Sequence, residues 1–177
     1  MLGVQIDAAE LKGLADALGA TEKQVEAART RALKRTAATV RRMASRRLVK
    51  GLDLRAAAVI RRRLREIRKG RGLQLWFGLN DLPADAFKGR VRQTGAGVEV
   101  GRRSYPGAFI GRDSGGRQQV FKRRGSGRLP IDVETSEIKA QADEIIGAGI
   151  FAEVGAIFMR NFQQDLRART AFGVGGR

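Results

Sequence analysis

The sequence predicts an α+β fold: long basic helices at the N-terminus, a central antiparallel β-sheet with an extended hairpin, and a C-terminal helix packing on the sheet. Three observations predict it. Apolar residues keep helical spacing up to about residue 65, alternate with a period of two beyond it, and return to helical spacing in the last third. All ten aromatic residues lie from Trp76 onward, so the first part packs with Leu, Val and Ala while the second builds a heavier core. Residues 29–71 hold 17 Lys and Arg against two acids, Asp53 and Glu66, a net +15 of the chain's +17.

Each element has its own signal. Val4-Gln5-Ile6 alternates like a short strand. Asp7 with Glu10 has the form of a capping box, and a short helix runs from there to Leu18 and stops at Gly19. Thr21 and Gln24 repeat the capping pattern and open a long helix. Its apolar positions are Val25, Leu33, Ala37, Val40, Ala44 and Leu48, with Met43 beside them, and no Gly or Pro interrupts before Gly51. Asp53 reads as the N-cap of a further helix with Leu54, Ala57 or Ala58, and Leu64 as apolar positions.

The β part follows. Gln74-Leu75-Trp76-Phe77 reads as a strand, and Arg90–Thr94 with Val98–Val100 reads as a hairpin turning at Gly95-Ala96-Gly97. Ala108-Phe109-Ile110 and Gln119-Val120-Phe121 pair around Asp113-Ser114-Gly115-Gly116, and Arg124-Gly125-Ser126-Gly127 forms a flexible tip. Phe151, Val154, Phe158, Phe162 and Leu166 form one helical stripe, its start weakened by Gly147, Gly149 and Gly155. The expected organisation is one domain in four parts. These are a basic helical part over 1–71, a β part over 72–135, a C-terminal helix over 136–170 and a flexible glycine tail over 171–177.

Composition excludes several chemistries. The chain has no Cys and no His, which removes thiol nucleophiles, His bases, zinc sites with Cys or His ligands, and Ser-His-Asp triads. The glycines of 111–116 and 125–127 lack the Gly-x4-Gly-Lys-Ser/Thr pattern and lie between strands, so they read as hairpin tips and not as a phosphate loop. Asp81, Asp85, Asp113 and Asp132 are scattered in turns and form no catalytic pair. The expectation is a protein that is not an enzyme and has no cofactor. The opening residues show no basic segment followed by an apolar run, and no window approaches the ~20 apolar residues of a membrane span. A soluble chain made in the cytoplasm is expected, with no membrane partner.

Two sets of residues stand out. Arg41, Arg42, Arg46 and Arg47, with Arg61, Arg62 and Arg63, offer the charge that phosphate contact needs without sequence reading. The alternative for them is a solvated or protein-facing surface. The second set lies in "GAFIGRDSGGRQQVFKRRGSGRLPI", residues 107–131, where Phe109, Ile110 and Phe121 precede a basic tip and a short apolar tag. Phe109, Ile110, Phe121, Arg124, Arg128, Leu129, Pro130 and Ile131 form the expected oligomer or partner interface. The alternative for the apolar members is the chain's own core.

Three pieces in order resemble the minor tail protein Z family of long-tailed phages and prophages. They are "ALKRTAATVRRMASRRLVKGLDLRAAAVIRRRL", "LWFGLNDLPADAFKGRVRQTGAGVEVG" and "YPGAFIGRDSGGRQQVFKRRGSGRLPI", spanning about residues 32–131. The resembling positions are Gly78-Leu79-Asn80, Tyr105-Pro106, Gly107–Ile110, Phe121, Arg124 and Arg128–Ile131. The resemblance implies a structural protein that completes the head-proximal end of the tail and helps it join a filled head. The partners it implies are further copies of the chain in a ring, taken as a hexamer, together with the tail terminator and the head–tail connector proteins. The tape-measure protein and genomic DNA are further candidates, since the family is also linked to placing the genome's end in the upper tail. The location it implies is the head-proximal end of the tail in the virion, and the host cytoplasm during assembly. A non-specific DNA-binding protein using an Arg-rich helical face is the competing expectation.

Overall fold

The computed structural model describes residues 8–70 and 72–173. The predicted strand at Val4–Ile6, the cap at Asp7 and the tail beyond Gly173 lie outside the described residues. The α+β class is borne out: a long N-terminal helix, small antiparallel sheets and a C-terminal helix. The described residues divide into two compact units, one of 8–44, 65–70, 72–76 and 146–173, the other of 45–64 and 77–145.

The first unit is mainly helical. Helix α1 (Ala8–Ala17) ends where Gly19 takes the left-handed conformation, φ 59°. Helix α2 (Glu22–Gly51) opens with the predicted capping box. The Thr21 N–H donates to Gln24 Oε1 at 2.9 Å, and the Gln24 N–H donates to Thr21 Oγ1 at 3.3 Å. Near the other end of the chain, helix α4 (Lys139–Ile146), of the second unit up to residue 145, leads through a π turn at Gly147–Phe151 into helix α5 (Ala152–Phe172). The π turn falls on the weak glycine-bearing stretch that the sequence marks.

Within the first unit, Phe158, Phe162 and Leu166 of the α5 stripe pack on α1 and α2. Ala15, Ala28, Ala32, Phe158, Phe162 and Leu166 form one buried cluster, flanked by Leu11, Leu14, Leu18, Val25 and Leu33. The physical reason is size: Ala28 and Ala32 on α2 leave room for the phenylalanine rings that the aromatic-free N-terminal part cannot itself supply. Each ring buried there contributes roughly 2–3 kcal/mol of transfer free energy. Polar ties close the same face. Buried Asp165 receives Arg31 Nε at 3.3 Å and Arg169 Nε at 2.6 Å, and Asn161 Nδ2 donates to Thr36 Oγ1 at 3.0 Å.

The second unit is built from short strands. After α2, Asp53 is not a helix N-cap. It adopts φ 55°, and its carbonyl accepts the Lys88 N–H at 2.8 Å. This left-handed turn reverses the chain so that Leu54 bridges to Phe87. The following helix is therefore short, α3 (Ala57–Arg61), and Leu64 opens strand β1 (Leu64–Lys69), which pairs with β2 (Gly72–Phe77). The basic segment thus ends in a strand rather than a helix.

Among the described residues the expected single sheet is divided into four small ones. In the second unit, β3 (Leu82–Pro83) pairs with β10 (Thr135–Ser136). Strands β4 (Val91–Thr94), β5 (Gly97–Val100) and β6 (Arg103–Pro106) form one meander, and β7 (Ala108–Arg112), β8 (Gln118–Arg123) and β9 (Ile131–Val133) form another. The predicted hairpins 91–100 and 108–123 are both present, whereas β6 and β9 carry no signal strong enough to read from the sequence. One side chain joins the two meanders. Gln93 Oε1 accepts the Ile110 N–H at 3.0 Å, while its Nε2 donates to the carbonyls of Gly97 and Ala108 at 2.9 and 3.3 Å. It substitutes for a strand's backbone, which explains why the sheets neighbour each other without a continuous ladder.

Candidate functional site: the outer face of the β7–β9 sheet

The register of the second meander sorts its residues onto two faces. Phe109 stands opposite Phe121, which stands opposite Val133, and Arg123 stands opposite Ile131. Alternation puts all five side chains on one face and Ala108, Ile110, Val120 and Lys122 on the other. The inner face is covered at Ala108, 3% exposed, and Val120, 1%, while Ile110 is half-buried and Lys122 at its end is exposed. The outer face is open: Phe109 and Phe121 are half-buried, and Ile131 and Val133 are each 39% exposed.

Local contacts hold the outer row in place. The Phe109 and Phe121 rings stack with centroids 6.0 Å apart and planes at 30°. The Phe121 ring lies over Gly111, where a Cβ would come within 2.8 Å of its Cδ2, so that glycine makes room for the ring. The Arg123 guanidinium sits 5.2 Å from the Phe109 centroid. The rows are therefore ordered although they are not covered.

The backbone adds a second feature. The Arg124 N–H donates to the Pro130 carbonyl at 3.2 Å and the Glu134 N–H donates to the Val120 carbonyl at 2.9 Å. In an antiparallel pair these bonds alternate, so residues 130, 132 and 134 face β8. The N–H and C=O groups of Ile131 and Val133 then point to the other edge, because among the described residues β9 has β8 as its one strand neighbour. An apolar row thus adjoins a strand edge able to pair with a further strand.

The predicted interface residues separate accordingly. Phe109, Phe121 and Ile131 come together on the outer face. Leu129 is 72% exposed just before β9, with exposed Pro130 beside it. Ile110 faces inward and does not join them. Arg124 pairs with Asp132 across the ladder, and its Nη2 donates to Asp132 Oδ1 at 3.0 Å. That hydrogen bond and the carboxylate's charge hold the guanidinium even more firmly in its charged form. Arg128 is exposed, and its carbonyl accepts from Arg123. Val133 was missed, although the alternation Ile131-Asp132-Val133 carries its signal.

The basic residues fall in both units, with Arg41, Arg42, Arg46 and Arg47 all on α2. Arg41 pairs with Glu66 at 3.4 Å, and Arg42 is exposed with Nη2 3.4 Å from Thr39 Oγ1. Both belong to the first unit. Arg46 and Arg61 to Arg63 belong to the second, as does half-buried Arg47. Helix α3 ends at Arg61, so Arg61, Arg62 and Arg63 share no helical face. Arg63 donates to the carbonyls of Asn80 and Asp81 at 2.6 and 3.4 Å, a structural role. Asp113 likewise has a turn role: its Oδ1 accepts the N–H groups of Gly115 and Arg117, both at 2.9 Å. Among the described residues no cluster of three or more metal-ligating side chains occurs, and no helix is long and apolar enough to cross a membrane.

Residues 84–168 match the model of a known family, Prophage minor tail protein Z (GPZ). No curated protein and no solved structure matches the chain. The match bears out the family that the sequence resembles, and it contains the whole β4–β9 region. The basic piece at 32–64, also part of that resemblance, lies outside it.

Proposed function

We propose, from the match of residues 84–168 to the minor tail protein Z family, that this chain completes the head-proximal end of a tail. It does so by docking the outer face of the β7–β9 sheet against a second copy of itself. The observation that carries this reading is the ordered, partly exposed row Phe109–Phe121–Val133 beside a strand edge that no other described strand covers, inside the matched region.

The mechanism follows from the two features together. A closed ring needs each subunit to present two different complementary surfaces. Strand addition at Ile131–Val133 gives direction and register through backbone hydrogen bonds. Phe109, Phe121, Ile131 and Leu129 then give affinity by leaving water. A completed ring of this kind, with six members as the expected number, would lie next to the tail terminator and receive the head–tail connector. The cations around the face, Arg123, Arg124 and Arg128, suit the rim of such a contact, where charge sets orientation more than strength.

Phage lacking this chain provide the test. Tails are expected to accumulate without heads, while filled heads accumulate without tails. Normal head joining in its absence would overturn the proposal.

A further inference from the structure

A second site lies in the sheet-bearing unit, lined by cations other than those the sequence nominated for charge. A cleft of about 700 Å³ is lined by Lys50, Leu52, Asp53, Phe87, Lys88, Val100, Arg102, Arg103 and their neighbours. Lys50, Lys88 and Arg102 are exposed and Arg103 is half-buried. Among the described residues none of these four forms an ion pair with a carboxylate. Elsewhere in the same unit Arg92, Lys122, Arg124 and Lys139 each have one. Asp53 is the sole carboxylate in the lining.

The cleft is built rather than incidental. Its wall requires glycine on both sides, since a Cβ at Gly89 (φ 124°) would lie 2.3 Å from the Gly101 Cα. The Arg103 guanidinium carbon sits 3.9 Å from the Phe87 ring centroid. The ring uses the flat face of the cation and leaves its N–H edges for another partner. The carbonyls that end α2, which would repel an anion, are already occupied. That of Gly51 accepts from Gln141, that of Val49 from Leu54 and that of Lys50 from Asp53.

We propose that this cleft binds the phosphate backbone of nucleic acid without reading its sequence. Four cations in one concavity, none with a carboxylate partner among the described residues, call for a polyanion. The volume, equal to the liquid share of roughly twenty water molecules, suits a segment of polymer better than a single small ion. An acidic protein segment fits less well. Leu52, Phe87 and Val100 are buried in the floor, so no apolar anchor is offered to a peptide side chain. Base stacking is likewise denied, because Arg103 covers the Phe87 ring. What remains is charge alone, which is what phosphate contact requires. The inference stands apart from the tail reading, because it is measured on the purified chain whatever the particle shows.

The test is fluorescence anisotropy with labelled duplex DNA of two unrelated sequences, titrated across about 50–200 mM salt. Equal affinity for both sequences is expected. The double variant Lys88→Glu, Arg102→Glu should bind about tenfold or more weakly and flatten the log–log salt slope by about 2. Lys12→Glu, Lys23→Glu makes the same charge change at exposed positions of the first unit, and should cost less than about threefold. Both pairs are exposed, and matching circular dichroism spectra would confirm that they fold. Equal losses in the two double variants would overturn the site in favour of diffuse charge. Saturable binding of poly-glutamate that duplex DNA cannot displace would overturn the ligand class.

Discussion

The chain contains two stacked phenylalanine pairs, Phe158–Phe162 and Phe109–Phe121, each with ring centroids 6.0 Å apart. Their surroundings differ. Phe158 and Phe162 are four residues apart on α5, and α1 and α2 cover them on the side the helix leaves open. Phe109 and Phe121 face each other across a ladder, on the side of the sheet away from buried Ala108 and Val120. The same contact therefore does two different things. In the first unit the rings are part of what holds the fold. On the sheet they are an ordered apolar surface whose remaining burial, at about 25 cal/mol per Å², is still available to a partner.

Substitution in the closed pair should give the largest effect. Phe162→Ala leaves a cavity among α1, α2 and α5 and should cost about 3–5 kcal/mol, read by chemical denaturation. A loss below about 1.5 kcal/mol would mean that this cluster is not the main core of its unit.

The open pair should behave in the opposite way. Phe121→Asp removes one ring contact and the partial burial of the ring but opens no enclosed cavity, so it should cost the isolated chain about 1–3 kcal/mol, less than Phe162→Ala. The same change should abolish self-association, read by sedimentation, and tail completion, read by head joining. Unfolding of the variant would show instead that the outer face belongs to the chain's own core.

A smaller effect probes the closed side of the sheet-bearing unit. Tyr105 is buried, and its hydroxyl lies 2.9 Å from Ser136 Oγ. Burial pushes its phenol above the ordinary value, and the Ser136 hydrogen bond and Arg103 only partly oppose this. The folded state therefore keeps the proton to higher pH than the unfolded chain does. Its contribution is complete below about pH 10 and declines as pH rises through the raised value. Tyr105→Phe should cost about 1 kcal/mol at neutral pH and remove that decline, seen as the difference between the two stability–pH curves. Since the chain has a single tyrosine, its titration can also be followed directly by absorbance.

How much was legible follows from how local each signal is. The Thr21–Gln24 box, the stop at Gly19 and the two hairpins depend on neighbouring residues, and all are present. The partner of α5 depends on which distant surface offers alanines, and spacing within α5 does not encode that. Asp53 has the residue type of an N-cap, yet the bridge between Leu54 and Phe87 selects a left-handed turn instead. On the candidate face, Phe109, Phe121 and Ile131 were readable by residue type. Their shared side, the exclusion of Ile110 and the inclusion of Val133 required the register of β9. The Lys50, Lys88, Arg102 and Arg103 cleft was hidden because it joins Lys50, from the basic segment 29–71, to two separated stretches that are not conspicuous for charge.

The most direct measurement is cryo-electron microscopy of the intact phage particle, focused on the junction of head and tail. Density for this chain as a ring at the head-proximal end is expected, with Phe109, Phe121, Ile131 and Val133 covered by the neighbouring copy and β9 extended by one of its strands. Absence of the chain from the particle, or a ring in which that face stays bare to solvent, would contradict the docking role assigned to it.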